Sequence, residues 1–367
     1  MARGMRFAFF GASLVSGYAN SAAGYCRGLL HALARRGHRV RFYEPLLSER
    51  LARRDVLDPS WAEIVRYTAD GEGLEAAIEH AADTDVLVKC SDVGLFDDLL
   101  DAAIPQVIVP PAIAVYWDMN PARTLAQLAD PRHPLRAQLP WYNVVLARYG
   151  GDPAIEAWER SGARVCFPVY PAIDPESDVP APPDPEYAAH FTLLVERADA
   201  DPVQVRRGFL DVAATLPERR FVLGGGGWDD TAMPANVDYA GHVYAAERRL
   251  YFCSASAVCN LTAPEAAALG YAPGPNLVEA AGVGACVISD TWEGFEAFFE
   301  PEREVLIAND AMQVIEQLSA LSAERAAAIG RRARGRCLAE HTYERRAIEL
   351  EALLEGFDRQ WVNKTAL

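Results

Sequence analysis

The sequence alternates short apolar segments with helical segments, and this alternation occurs twice along the chain. In the first half, apolar runs bounded by polar stretches predict strands at residues 5–11, 38–44, 84–90, 106–112, 143–149 and 163–169. The clearest helices between them are predicted over residues 25–36 and 73–82. Strands that alternate with crossover helices form a parallel sheet. The first half of the chain is therefore predicted to fold as an α/β layer.

A Pro-rich segment at residues 168–187 interrupts this pattern and is typical of a connection between domains. The alternation then resumes, with strands predicted at residues 191–196, 220–226, 257–262, 285–289 and 304–309. We therefore predict a first domain over 1–172, a linker over 173–188, a second domain over 189–340 and a C-terminal helix over 341–367 that crosses back to the first domain. A chain of 367 residues is long enough for two α/β domains that face each other across a cleft.

The charge balance narrows the choice of partners. The formal net charge is −16, whereas binding to nucleic acid requires clustered Lys and Arg, so nucleic acid is excluded as the main partner. A nucleotide-sized ligand is still allowed, because backbone amides and a few cations can hold a diphosphate. No apolar run approaches the roughly 18 to 20 residues of a membrane span. We expect a cytoplasmic protein.

The seven cysteines contain no C-x-x-C pair and mostly lie within apolar runs. Such cysteines are typical of small core residues in a reducing compartment. The sequence therefore predicts no metal site.

The segment over residues 270–301 contains two candidate site elements. Its Gly- and Pro-rich turn leads into a predicted helix, with Asn276 as the N-cap and Glu279 one turn inside. The apolar strand over 285–289 follows, and a loop begins at Asp290. Because ligands bind at the carboxyl ends of strands in open α/β sheets, both the helix start and the loop are candidates.

The same segment carries a resemblance to a known family. "CNLTAPEAAALGYAPGPNLVEAAGVGACVISDTWEGFEAFFEPEREVLI" resembles the carboxyl-terminal signature of the CgeB-like (spore maturation protein) glycosyltransferases, members of the GT-B superfamily. The upstream "FVLGGGGWDDTAMPANVDYAGHV" fits the same family. In the first half, "GASLVSGYANSAAGYCRGLLHALARRGHRVRFYE" resembles its opening strand, loop and helix, and "VYWDMNPARTLAQL" resembles its Asp-containing loop. The resemblance covers essentially the whole chain and is weaker in the first half.

The resemblance implies a GT-B fold with two Rossmann-like domains. It implies a nucleoside diphosphate sugar as donor, held mainly by the second domain, and an acceptor held mainly by the first. It also implies a hexosyltransferase-type reaction with no metal and no other cofactor, because helix N-termini and basic side chains offset the diphosphate charge. The donor base and sugar, the acceptor, the stereochemical course and the oligomeric state stay open.

Several residues of the second domain are candidates for binding the donor. Glu279 matches the family's glutamate that accepts hydrogen bonds from the ribose hydroxyls, although it could instead complete a capping box with Asn276. Asp290, Trp292 and Glu293 could line the same pocket, or Asp290 could simply end a strand while Trp292 packs in the core. The other donor-binding candidates are Gly274, Asn276, His242, Gly225, Gly226 and Arg197. His242 and Asn236 could flank the base or the diphosphate, or be turn residues.

In the first domain, the polar side chains of the strand-loop-helix turn over 11–23 could contact the transferred sugar, and Asn120, like Asp118 beside Tyr116 and Trp117, could face the acceptor. These candidates are Ser13, Ser16, Tyr18, Asn20, Ser21 and Asn120. Asp118 is the leading candidate for the general base of an inverting reaction, and Asp92 is the second. The alternative for either carboxylate is a structural role at a strand end or a helix N-cap.

The sequence departs from the family at three places. Asn276 and Ala263 stand where the family has arginines, and residues 195–199 replace a conserved turn of the family. Each lost arginine removes charge-assisted contacts worth roughly 1.5 to 3 kcal/mol. Arg197, Arg206 or Arg207 could recover part of this energy.

The leading hypothesis is a glycosyltransferase that moves a sugar to a small-molecule, glycan or protein acceptor. The alternative is a non-catalytic GT-B descendant that binds a nucleotide or a partner protein, since Asn276 and Ala263 lack the charge of the family's arginines. A third reading is a nucleotide-sugar or sugar-phosphate epimerase built on the same two-domain plan.

Overall fold

The chain separates into two compact units. The computed structural model describes residues 4–18 and 20–365, with side chains up to residue 357. The first unit holds the chain up to Tyr170 together with the residues from Tyr343 onward, and the second holds Pro171–Thr342. Each unit is built around its own parallel sheet and apolar core.

The first unit contains a seven-stranded sheet in the order β3-β2-β1-β4-β5-β6-β7, and all of its strand pairs are parallel. The central strands are buried along their whole length, as in Val86–Cys90 and Ile113–Asp118, because helices cover both faces of the sheet. The strands are β1 (Arg6–Phe10), β2 (Arg39–Pro45), β3 (Ala62–Tyr67), β4 (Val86–Cys90), β5 (Ile113–Asp118), β6 (Val144–Ala147) and β7 (Cys166–Pro168).

The helices of this unit lie between its strands. They are α1 (Ala23–Arg35), α2 (Ser48–Ala52), α3 (Gly71–Ala81), α4 (Asp97–Val107), α5 (Pro121–Gln127), α6 (Pro134–Gln138) and α7 (Asp152–Arg160). The strand predicted over 106–112 is wrong, because that segment ends α4 and then turns. Pro110 and Pro111 have no N–H to donate to a ladder, so the sheet resumes only at Ile113.

The second unit contains a six-stranded parallel sheet in the order β10-β9-β8-β11-β12-β13. Its strands are β8 (Ala189–Leu194), β9 (Phe221–Gly224), β10 (Val237–Gly241), β11 (Ala255–Asn260), β12 (Val287–Ser289) and β13 (Leu306–Ile307). Its helices are α8 (Pro202–Val205), α9 (Asp211–Thr215), α10 (Arg248–Cys253), α11 (Pro264–Ala267), α12 (Pro275–Gly282), α13 (Ala311–Ala320) and α14 (Ala323–Glu340). A π-helical turn over Arg206–Leu210 joins α8 to α9.

The last helix, α15 (Tyr343–Thr365), packs on α1 of the first unit. Gly28 lets the Tyr343 ring approach, since a Cβ at residue 28 would lie 2.0 Å from its Cε2 atom. Glu351 accepts hydrogen bonds from Arg36 at 2.5 and 2.7 Å and contacts His38 Nε2 at 2.7 Å. Close packing and this charged cluster both hold α15 in place.

The strand orders locate one switch point in each sheet, where the chain reverses the direction in which strands are added. In the first unit it lies between β1 and β4, and in the second between β8 and β11. Loops at the carboxyl ends of these strands form the crevice in which ligands bind in doubly wound sheets. The predicted site loops can therefore be placed relative to these two points.

Candidate functional site

Helix α12 begins at the switch point of the second unit. The Asn276 side chain donates to the carbonyl of Leu194, the last residue of β8, at 2.6 Å. Gly274 faces Asn260, the last residue of β11, so closely that a Cβ there would lie 3.5 Å from Asn260 Oδ1. The N-terminus of α12 thus lies at the carboxyl ends of β8 and β11. Its first N–H groups and the helix dipole are suited to an anionic ligand.

The start of α12 differs from the predicted one. The N-cap is Gly274, and Pro275 is the first helical residue, so Asn276 is not the cap. The capping-box alternative for Glu279 is wrong as well, because Glu279 Oε2 forms an ion pair with Arg248 at 2.7 Å. Both side chains are therefore directed at tertiary partners.

Arg248, the first residue of α10, joins these side chains. Its Nη2 group donates to Asn276 Oδ1 and pairs with Glu279, while its Nε is buried without a partner among the described residues. We call Arg248, Asn276 and Glu279 the Arg248 cluster. Sequence reasoning missed Arg248, since it lies 28 residues before Asn276 and its only signal is a basic pair that opens a helix.

Asp178 adds a second carboxylate beside the Arg248 cluster. Burial, together with the negative charge of Glu279, raises the pKa of Asp178 to about 7, and Arg248 opposes the shift. Its Oδ2 accepts a hydrogen bond from the Asp174 N–H at 2.7 Å. The cation of Arg248 thus lies among acidic groups in the second unit.

The glycine loop after β9 is held by its own hydrogen bonds. Gly225 has φ +109, and a Cβ there would lie 2.0 Å from the Val195 carbonyl oxygen, so only glycine fits. The Gly226 N–H donates to Glu196 Oε2 at 2.8 Å, and Glu196 Oε1 lies 3.3 Å from His242 Nδ1. The Gly226 amide is therefore already used, and a phosphate could bind it only by displacing Glu196.

Arg197 and Asn236, two further candidates for the donor site, are both held by contacts with other residues of the second unit. Arg197 donates to Thr231 Oγ1 at 2.6 Å, pairs with Asp230 at 3.2 Å and packs over Trp228. Asn236 lies just before β10, at its amino end, and donates to three carbonyls, those of Ala213, Leu216 and Arg219. Asn236 therefore lies at the edge opposite to the site, and its predicted role beside the base or diphosphate is wrong.

The loop after β12 is mainly structural. Asp290 accepts from the Thr262 N–H at 2.9 Å and from Gln204 Nε2 at 3.2 Å, and burial raises its pKa to about 6. Trp292 is buried against Phe295 and Phe298, which agrees with the core alternative. Glu293 is exposed, and its contact with the donor stays a prediction.

In the first unit, the loop after β1 uses most of its polar groups to hold itself. Ser13 Oγ accepts from the Ser16 N–H at 3.2 Å, and the Ser16 hydroxyl donates to the Arg53 carbonyl at 2.7 Å. Both serines are buried, and Asn20 donates to their carbonyls at 2.8 and 3.1 Å. Ser13 and Ser16 therefore shape the loop, and their contact with a sugar stays a prediction.

Two further candidates of this loop lie near its surface. Arg53 places its guanidinium 3.8 Å from the centre of the Tyr18 ring. Ser21 is exposed. Contacts of Tyr18, Asn20 and Ser21 with a substrate stay predictions.

Asp118 ends β5 and is completely buried. Its Oδ1 accepts from the hydroxyls of Ser91 at 2.8 Å and Thr124 at 2.9 Å and from the Asn120 N–H at 3.2 Å. Its Oδ2 is buried and has no hydrogen-bond partner among the described residues. Burial raises the pKa of Asp118 to about 6, and the three donors oppose this shift. Its proton can therefore exchange near neutral pH.

Asp92 and Asn120 lie at the same edge. Asp92 follows β4 with φ +61 and forms an ion pair with Arg123, and burial raises its pKa. Asn120 is the N-cap of α5, where its Oδ1 accepts from the Arg123 N–H at 3.4 Å and from the Tyr149 hydroxyl at 2.9 Å. A structural role is thus evident for Asn120, and its acceptor contact stays a prediction.

The described part of the chain contains neither a cluster of metal ligands nor a membrane-spanning helix. Among the side chains that the structure describes, in residues 4–18 and 20–357, no three His, Cys, Asp or Glu groups come together as metal ligands. No helix in the same part of the chain has the length and apolar character needed to cross a membrane.

Two Rossmann-like parallel sheets with ligand edges of this kind define the GT-B fold, and comparison with solved structures confirms the predicted fold. The structure resembles sucrose-phosphate synthase from Thermosynechococcus elongatus with a TM-score of 0.69 at 15% identity, over 96% of this chain and 98% of that one. It resembles Anabaena Alr3699/HepE, solved with UDP and glucose, with a TM-score of 0.67 at 12% identity, over 96% and 100%. It also resembles a glycosyltransferase from Rickettsia africae ESF-5, with a TM-score of 0.63 at 11% identity, over 97% and 99%.

One segment of the second unit and the start of α15 match a known family model. Residues 205–352 match the model of a family described as glycosyl transferase-like, and this segment includes the whole Arg248 cluster. The match confirms the predicted class, a glycosyltransferase, for the part of the chain that it covers. No curated protein sequence matches the chain.

Proposed function

We propose that the protein is a glycosyltransferase that transfers a sugar from a nucleoside diphosphate sugar to an acceptor hydroxyl or amine. The observation that carries the proposal is the Arg248 cluster. It places a cation and a carboxylate at the N-terminus of α12, at the switch point of a Rossmann-like sheet, within the segment that matches the transferase family. A diphosphate and a ribose require this combination of groups.

The donor contacts follow from the chemistry of the cluster. The N–H groups at the start of α12 and the Arg248 guanidinium bind the diphosphate and stabilise it as the leaving group. Glu279 pairs with Arg248 through Oε2, which leaves Oε1 to accept hydrogen bonds from the ribose hydroxyls. In this proposal, Arg248 takes over the charge that the family places at residue 276.

The acceptor is activated in the first unit. Asp118 Oδ2, which is buried without a partner among the described residues, takes the proton of the attacking hydroxyl or amine. A raised pKa favours this role, because a base with a pKa near the working pH combines a useful ionised fraction with good basicity. This assignment applies to an inverting reaction.

Finer features of the proposal rest on the sequence. The resemblance over residues 259–307 supports a CgeB-like glycosyltransferase that needs no metal. The seven cysteines, all of them free thiols, support a cytoplasmic location.

Thermal unfolding with UDP, dTDP, GDP, ADP and CDP and their sugar conjugates tests the donor site. A ligand at 100 times its Kd adds about 2.7 kcal/mol of stability, so one nucleotide series should raise the melting temperature clearly. Arg248→Gln and Glu279→Gln should weaken that ligand by about 10-fold or more, since each removes a charged contact. Arg249→Gln is the matched control, because Arg249 is the next residue of α10 and is exposed.

The outcomes separate the two leading hypotheses. Binding of one series, with product formed from an acceptor, supports the transferase. Binding without turnover or hydrolysis would favour a non-catalytic nucleotide-binding protein. If Arg248→Gln binds the nucleotide as tightly as Arg249→Gln does, the donor site has been placed wrongly.

A further inference from the structure

We propose that Arg148 binds an oxyanion, a phosphate or carboxylate group, that is carried by the acceptor. This inference rests on the proposed function, because it names the chemical class of the acceptor for that reaction. The observations that lead to it are the position of Arg148, its lack of partners and the chemistry of its neighbours.

Arg148 lies at the ligand-binding edge of the first sheet. It follows β6 directly, and its N–H donates to the Asp118 carbonyl at 3.0 Å. Ala147, the residue before it, is in register with Asp118 on β5. The predicted general base and this cation therefore leave two neighbouring strands at the same edge.

The guanidinium of Arg148 has no carboxylate or carbonyl partner among the described residues, and its Nε is buried. The guanidinium carbon lies 5.8 Å from the centre of the Tyr149 ring. Other arginines that approach this edge are paired, as Arg123 is with Asp92 and Arg50 is with the Ala12 carbonyl. A half-buried arginine without a partner is costly unless a ligand supplies one.

The nearby carboxylates do not provide that partner. Asp92 lies within Coulomb range of Arg148 but makes its ion pair with Arg123. Asp118 is bonded through Oδ1 to Ser91, Thr124 and Asn120. The planar fork of an arginine matches the oxygens of a phosphate or carboxylate, so an oxyanion is the group that suits this position.

Two buried atoms at this edge lack partners among the described residues, and they have opposite character. Asp118 Oδ2 can accept a hydrogen bond, and the Arg148 Nε–H group can donate one. An acceptor that carries a hydroxyl and, close to it, an oxyanion would satisfy both. Such a ligand would also be oriented by Arg148 while Asp118 removes the hydroxyl proton.

Selective ¹⁵N labelling of arginine tests the proposal in the intact protein. The Nε–H signal of Arg148 is assigned from its loss in Arg148→Gln and in Arg148→Lys. Inorganic phosphate and acetate are then titrated in the presence of a saturating nucleoside diphosphate that fills the donor site. We expect the Arg148 signal to move and saturate, and phosphate to bind Arg148→Gln about 10-fold or more weakly.

Arg164 provides the matched control, since it is an exposed arginine that precedes β7 and so lies near the amino edge of the same sheet. Its signal reports non-specific binding, and Arg164→Gln should bind phosphate as the wild type does. The proposal is overturned if the Arg148 signal moves no more than that of Arg164, or if it responds only to the nucleoside diphosphate. The Arg248 signal in the same sample reports donor binding, so the two proposals fail separately.

Discussion

The two units place an acidic side chain at their ligand-binding edges in different ways. Glu279 in the second unit is held by an ion pair with Arg248. Asp118 in the first unit is buried and held by neutral hydroxyls and a backbone N–H, and burial raises its pKa to about 6. The first arrangement suits a fixed acceptor of hydrogen bonds, and the second suits a group that exchanges a proton. In the proposed function, similar sheets thus serve binding in one unit and proton transfer in the other.

The largest expected effect is on turnover. Asp118→Asn keeps an oxygen for Ser91 and Thr124 but removes the base, so kcat should fall by about 10² to 10⁴-fold while donor affinity is unchanged. Steady-state kinetics with the identified donor and acceptor measure this. Asp92→Asn is the matched comparison, and a larger loss there would transfer the role of base to Asp92.

The second effect is on the stability of the second unit, where the backbone at Gly225 packs closely against Val195. Gly225→Ala should lower the free energy of unfolding by about 3 kcal/mol, because it adds a Cβ against the Val195 carbonyl at positive φ. Gly241→Ala is the control, since Gly241 also has positive φ but its Cβ would meet no atom within 4 Å. Urea unfolding compares the two, and equal losses would mean that the contact with Val195 has no energetic weight.

The third effect is the pH dependence of the free energy of unfolding, which Asp118 should control independently of catalysis. A pKa raised from 3.8 to about 6 in the folded state stabilises the fold below pH 4, and this contribution is lost as the pH rises through 6. Asp118→Asn cannot bind this proton, so its stability lacks this pH dependence. The unfolding free energy of the variant minus that of the wild type should therefore be higher at pH 7 than at pH 4 by on the order of 2 kcal/mol. A constant difference in unfolding free energy from pH 4 to 7 would contradict this.

The smallest effect is the pH profile of the reaction. Asp118 must be ionised to act as a base, so kcat/KM should rise about tenfold per pH unit below pH 6 and level off above it. Nucleotide binding is followed in the same buffers. Asp178 also has a raised pKa, about 7, so its ionisation in the same pH range could change donor binding instead of the proton transfer. A rate that is flat between pH 5 and 7 would exclude Asp118 as the base.

Burial accounts for part of what the sequence could predict. The central strands β1, β4, β8 and β11 are mostly apolar, because both of their faces are covered, and the sequence predicted them. The central strand β5 is just as buried but was missed, because the strand was predicted before it, over 106–112. The strands at one edge of each sheet, β3 and β10, read "AEIVRY" and "VDYAG" and were missed, because an edge strand carries polar side chains. The apolar run over 106–112 was predicted as a strand although it is not one. Its hydrophobicity is that of a strand, but Pro110 and Pro111 lack the N–H groups that a strand donates.

The site was predictable to the extent that it depends on strand ends. Asp290 directly follows β12, as expected from a short apolar run followed by an acid, whereas Asp118 was identified only through the resemblance and proved to end β5, a strand that was not predicted. Arg248 and Arg148 were not predicted, because their importance depends on partners that are distant in sequence or on the lack of a partner. Tertiary contacts of this kind leave no local pattern of residues.

The assignment of α15 to the first unit has a consequence for synthesis of the chain. The polypeptide leaves that unit after Tyr170, forms the whole second unit, and returns only at Tyr343. The ribosome therefore completes the second unit before it releases the helix whose Tyr343 packs against Gly28 and whose Glu351 binds Arg36 and His38. The first unit to be translated is thus the last to be finished, and until then its α1 surface remains uncovered.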